Sequence, residues 1–178
     1  MQRIVMLVLA LGLFATGAAA ADAGLPEYIG TFTGRAVGSA SYVPLERSVP
    51  TQKTKVRGFG FGGAAVFFGF SGDSSQVRFK SGDKLEFVVR VAAQDQDPQS
   101  FIQLFALKQA NGERVLSLAS ATMFGSNDTR HDQDRPFEAQ KLGTNFFKVT
   151  PADTLVPGEY GLCTGAGSEP CFLFGVDP

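Results

Sequence analysis

Few residues of this chain could do chemistry, and their spacing narrows the chemistry open to them. The two cysteines, Cys163 and Cys171, stand eight positions apart. That is too wide for a C-x-x-C redox pair and suits a local disulfide across a hairpin. The one histidine, His131, sits in Asp128-Thr129-Arg130-His131-Asp132-Gln133-Asp134. A Ser-His-Asp triad would have to use it, and no G-x-S-x-G elbow accompanies it. One His and two disulfide-bonded Cys do not make a transition-metal site. Asp128, Asp132 and Asp134 offer oxygen ligands for Ca²⁺, but their spacing does not follow an EF-hand loop. No catalytic residue, metal ligand or cofactor is therefore expected. One enzymatic route stays open: a pair of loop carboxylates, whose separation is set by the fold rather than by the sequence. The absence of Trp and the presence of only three Tyr argue against a sugar-stacking groove for it.

The run Gly58-Phe59-Gly60-Phe61-Gly62-Gly63 is not followed by Lys-Ser/Thr, so it is no phosphate cradle. Phe59 and Phe61 fall on one side of an extended chain, as do Phe68 and Phe70. The run reads as a core strand with a bulge or a flexible loop. Its functional alternative is an exposed aromatic patch for a partner or lipid, carried by Phe59 and Phe61. Asn127-Asp128-Thr129 fits a glycosylation sequon, which matters only in a eukaryotic secretory pathway.

The elements that must position these residues are strands. Seventeen Phe and 21 Gly favour pleated surfaces and turns over helices. Short alternating runs recur between Gly, Pro, Asn and Asp, the pattern of a sandwich or barrel. Strands are predicted at Tyr28 to Arg35, Lys53 to Arg57, Ala64 to Phe70, Gln76 to Lys80, Leu85 to Val91, Phe101 to Leu107, Arg114 to Ala119 and Phe146 to Thr150. In the clearest, Leu85, Phe87, Val89 and Val91 share the core face. Asp95 and Asp97 are turn formers before Pro98. Asn111-Gly112 predicts a type I′ hairpin that pairs Leu107 with Leu116 and Phe105 with Leu118. The polar stretch from Thr122 to Lys141 reads as a long surface loop. In the last hairpin, Cys163 opposite Cys171 sets Leu162 against Phe172 and Tyr160 against Phe174, with Val176 alongside. The other face then carries the cysteines, Gly161 and Leu173.

The N-terminus supplies the compartment. Met1-Gln2-Arg3, an apolar run from Ile4 to Phe14 and the small residues Ala15 to Ala21 form a secretory signal over residues 1–20. The apolar run is shorter than a membrane span. No Cys follows it to take a lipid, so no membrane anchor is expected after cleavage. Residues 21–178 are expected to form one domain, periplasmic or secreted. The charges are interspersed and mildly acidic, which excludes a nucleic-acid surface.

The stretch from Leu155 to Tyr160 resembles the tyrosine-corner entry of immunoglobulin-like sandwiches. There the cysteine follows the tyrosine by two residues and bridges two sheets. Here it follows by three, with a local partner. Gly72-x-x-Ser75-x-Val77-Arg78, Phe87 to Arg90, Asp97-Pro98, Pro157 to Tyr160 and Phe174 to Asp177 together resemble a group of uncharacterised exported bacterial domains. The resemblance implies fold and compartment but no mechanism.

These readings converge on an all-β, antiparallel β-sandwich, immunoglobulin-like in style. Its expected role is a non-enzymatic binding or structural module whose partner is an envelope protein or polymer. The alternatives are an envelope-polymer hydrolase using loop carboxylates and a small outer-membrane barrel. Closing the short Cys163–Cys171 loop is expected to stabilise the mature domain by roughly 2–3 kcal/mol. Reduction should therefore lower its Tm, and an unchanged Tm would break the link between compartment and fold.

Overall fold

The structure, a computed structural model, describes residues 24–56, 63–122, 125–127, 132–165 and 169–178. The described strands are β1 (Phe32–Ala36), β2 (Val43–Pro44), β3 (Glu46–Ser48), β4 (Thr51–Val56), β5 (Ala64–Ser71), β6 (Arg78–Lys80) and β7 (Leu85–Arg90). They continue with β8 (Ile102–Ala110), β9 (Glu113–Thr122), β10 (Gly125–Asn127), β11 (Phe137–Lys141), β12 (Phe146–Pro151), β13 (Gly158–Thr164) and β14 (Cys171–Asp177). One 3-10 turn, Pro98–Ser100, precedes β8; the Asp97 carboxylate caps it by accepting from Gln99 N at 3.0 Å.

Two sheets pack face to face. The smaller runs β11-β12-β7-β1-β2. The larger runs β3-β14-β13-β8-β9-β5-β4, with β10 added to β9 and β6 to β14. The strand pairs are antiparallel except β6 with β14. Between the sheets lies the main core. Leu85, Phe87, Val89 and Val91 face it from β7 and its end, with Phe32, Phe147 and Val149 beside them. Tyr160, Leu162, Phe172, Phe174 and Val176 face it from β13 and β14. The β1 strand starts at Phe32 rather than Tyr28, because Gly30 turns the chain at φ 76° and leaves Tyr28 and Ile29 exposed.

The larger sheet curls, and its β5–β9 part folds back over the far side of β13 and β14. A second core forms there from Phe68, Phe70, Phe105, Leu107, Leu116, Leu173 and both cysteines. The last hairpin is thus buried on both faces, and its register is the one its pattern dictates. Cys163 pairs with Cys171, Leu162 with Phe172, Gly161 with Leu173 and Tyr160 with Phe174. Gly161 is obligatory, since a Cβ there would press on the Phe105 ring at 2.7 Å and on Leu173 at 2.9 Å. The Tyr160 hydroxyl donates to Val156 O at 2.7 Å, closing the tyrosine corner.

Two expectations are corrected. Asn111 and Gly112 do turn the chain at positive φ, 55° and 76°, as a type I′ turn requires. The ladder they start, however, stops at Lys108–Val115. Beyond it β8 and β9 diverge, and on that edge of β8 Phe105 bridges Asp134 instead of Leu118. The second correction concerns the region from Thr122 to Lys141. It is not one surface loop: it contains β10 and β11, and Gln133 is only 2% exposed. The physical reason is the divergence itself, which would strand backbone groups of two buried strands. Gln133 fills the gap. Its amide donates to Ala106 O at 2.7 Å and Val115 O at 3.1 Å, and its oxygen accepts from Ser117 N at 2.8 Å.

Gln133→Ala would leave those three groups unpaired and should destabilise the fold by about 1–3 kcal/mol. Asp132→Ala next door, on an exposed side chain, should stay within about 0.5 kcal/mol. Urea midpoints of the two variants decide this.

Candidate functional site

Those residues singled out by the sequence that the structure describes do not assemble into one reactive site. Cys163 and Cys171 are disulfide-bonded, almost fully buried and part of the second core. Phe59, Phe61, Asp128 and His131 lie outside the described residues, as do residues 1–20. Asp132 is exposed and Asp134 half-buried. Among the described residues no three His, Cys, Asp or Glu side chains come together to hold a metal. No helix among them is long and apolar enough to cross a membrane.

The most concentrated ionisable cluster among the described residues is one that the sequence pattern did not point to. Arg114, 1% exposed, reaches across the open end of the second core. It donates to Ser71 O at 2.7 Å, Gly72 O at 3.2 Å and the Glu46 carboxylate at 2.6 Å. Glu159, 3% exposed, lies 3.9 Å from it. The Glu159 carboxylate also accepts from Ser75 N at 2.8 Å and from the Arg78 guanidinium. Arg78 continues to Asp177 at 2.6 Å, and Gln76 N donates to Glu46 at 3.0 Å. All but the Arg114–Glu46 and Arg114–Glu159 contacts pin residues 71–78, the link from β5 to β6. Gly175 makes room for it, because a Cβ there would overlap the Arg78 guanidinium. Gly72, Ser75, Arg78, Glu159, Gly175 and Asp177, far apart in the sequence, all meet here.

A second cluster lies on the outer face of the smaller sheet. Glu86 accepts from the Tyr42 hydroxyl at 2.7 Å and Arg35 Nε at 2.6 Å. The Arg35 guanidinium stands 4.1 Å from the centre of the Tyr42 ring. Burial by itself would raise the Glu86 carboxyl. The hydrogen bonds from Tyr42 and Arg35 and the charges of Arg35 and Lys148 outweigh it, and hold the carboxyl below the ordinary range. Glu46 behaves alike: burial pushes it up, and the bonds from Arg114, Ser75 and Gln76 bring it below. Carboxyls held down in this way accept hydrogen bonds from cations; they do not donate protons.

Three surface recesses stand out among the described residues. One of about 250 Å³ has Asp83, Glu138 and Asp153 in its wall, beside Lys84. An open cleft of about 590 Å³ lies between the β1–β2 link and β6, where Val37 and Val43 are exposed beside Arg35 and Lys80. The third, about 400 Å³, opens where the chain crosses from the larger to the smaller sheet. Ile102, Leu104, Phe137 and Arg135 line it, with Gln99, Gln103 and Asp134. No nucleophile in them is hydrogen-bonded to a base among the described residues.

Compared with protein families, with curated proteins and with solved structures, the chain matches none.

The lowered carboxyls fix a pH dependence. A folded pKa below the unfolded one means the unfolded state takes up protons first on acidification. The contribution of Glu46 and Glu86 is complete above the ordinary glutamate range and is lost as pH falls through it to the lower folded values. Chemical melts at about pH 7, 5 and 3 should show stability falling with pH, less steeply in Glu86→Gln and Glu46→Gln. Equal slopes in wild type and both variants would show that these pairs do not couple to folding.

Proposed function

We propose that this chain is an exported, non-enzymatic binding or structural module of the cell envelope, working in the periplasm or outside the cell. One observation carries the reading. The ionisable groups drawn into the protein body are bound to one another and hold chain segments together. Arg114, Glu46, Glu159 and Arg78 fix the β5–β6 link, while Arg35, Tyr42 and Glu86 fix the start of β2. A hydrolase acid needs a carboxyl whose pKa is raised towards the working pH. Glu46 and Glu86 are shifted the other way.

Two further features support the reading. The disulfide Cys163–Cys171 suits an oxidising compartment. The interior is filled by Phe, Leu and Val, whereas an outer-membrane barrel keeps a polar interior and an apolar outer band. The rival hydrolase reading is favoured by the recess that gathers Asp83, Glu138 and Asp153. The partner would be an envelope protein or polymer met at the surface, with Phe59 and Phe61 as one place to meet it.

The test uses the mature protein with purified envelope polymer and with an envelope extract. The expected outcome is retention of an envelope component and no release of soluble polymer fragments. Asp83→Asn, Glu138→Gln and Asp153→Asn should retain it equally. Fragment release abolished by any of these substitutions would replace this reading with the hydrolase.

A further inference from the structure

At the crossover recess, one edge of the Arg135 guanidinium has no acceptor among the described residues. Arg135 lies on the segment that leaves β8 for β11. Its backbone N–H donates to Leu104 O at 2.8 Å, which fixes the residue at the recess wall. Its Nη1 donates to Asp134 O at 2.8 Å and Asp132 O at 3.2 Å, both backbone carbonyls. Nε and Nη2 have no acceptor among the described residues, and no carboxylate there pairs with the guanidinium. This contrasts with Arg35, Arg78 and Arg114, each of which ends on a Glu or Asp.

We propose that this recess binds a ligand with one carboxylate beside a short apolar group, the carboxylate resting on the free edge of Arg135. The inference rests on the binding-module reading and adds the ligand chemistry. The Nε–Nη2 edge of a guanidinium matches the two oxygens of a carboxylate in one plane. The two backbone carbonyls on Nη1 hold that edge in place, so little rotamer freedom is lost on binding. The volume of about 400 Å³ falls in the range of small-ligand sites. Ile102, Leu104 and Phe137 supply an apolar lining, and the amides of Gln99 and Gln103 line it beside them. A peptide C-terminus and a free small carboxylic acid share the required chemistry.

The mature protein is titrated with acetyl-Leu-Ala bearing a free carboxylate, with its C-terminal amide, and with propionate. Binding is read by backbone chemical shifts. The free-acid peptide should move the resonances of Gln103, Leu104 and Arg135, and the amide should bind at least about tenfold more weakly. Propionate binding as well as the peptide identifies the ligand as a small free acid; a large advantage for the peptide identifies a chain terminus. Arg135→Gln should weaken the peptide by a similar factor, and Arg135→Lys by less. If Arg135→Gln fails to fold, the acid-against-amide comparison on wild type still decides. Equal binding of acid and amide, shifts away from this recess, or no binding of either acid overturns the inference. In those cases retention of an envelope component would leave the binding-module reading standing, and polymer cleavage would remove that reading itself.

Discussion

A hairpin buried on both faces has no solvent side, so every polar group on it must find a partner inside the protein. That constraint governs this molecule. β13 and β14 give one face to the core between the sheets and the other to the core under the curled sheet. Five positions of β13 are apolar or glycine and raise no difficulty. Glu159 does, because it sits on the inner face two positions from Gly161 and is 3% exposed. An unpaired carboxylate there would cost several kcal/mol. Arg78, Ser75 N and Arg114 meet it. The second core is therefore closed at one end by a disulfide and at the other by charges.

The charges do more than neutralise one another. Replacing a buried ion pair by apolar residues of the same volume is often neutral or stabilising, so the network is weak support for stability as such. Its effect is positional. Arg114 grips the carbonyls of Ser71 and Gly72, Glu159 grips Ser75 N, and Glu46 grips Gln76 N. Those anchors deliver β6 into parallel pairing with β14, with Arg78 opposite Gly175. Phe79 then packs edge-on against Phe87 and Phe174 and seals the main core. Apolar residues could fill the same volume, but they could not hold a polar loop at its backbone.

How much of this was legible follows from what each feature depends on. The closing hairpin was readable because one register satisfied two faces at once, and adjacent residues alone define it. The β7 core face was readable for the same reason. The ion cluster joins residues 68 and 81 positions apart, which no local pattern encodes. A signal for it did exist. Alternation puts Arg114 on the face of Leu116 and Glu159 on the face of Gly161 and Cys163, and a charge on a core face implies a buried partner. β11 and Gln133 were missed because Phe137–Lys141 is an edge strand, half-exposed and polar. Composition alone makes such a strand resemble a loop. The paired halves of the Arg135 recess, likewise, come from β8 and from the crossover more than thirty positions later.

The crossover also explains why a recess and a buried amide occur side by side. A chain that leaves one sheet for another must break a ladder, and the strands on either side lose partners. Here the break falls between β8 and β9, and three residues of one segment resolve it in different ways. Gln133 inserts its amide and replaces the lost ladder bonds with side-chain ones. Asp134 stays in register as a single bridge opposite Phe105. Arg135 gives one last backbone bond to Leu104, after which Pro136 ends the pairing, since it has no N–H to donate. From that point the segment and β8 separate, and the space between them is the recess. Its position is thus a consequence of the topology, and the guanidinium at its wall is held by the same backbone that opens it.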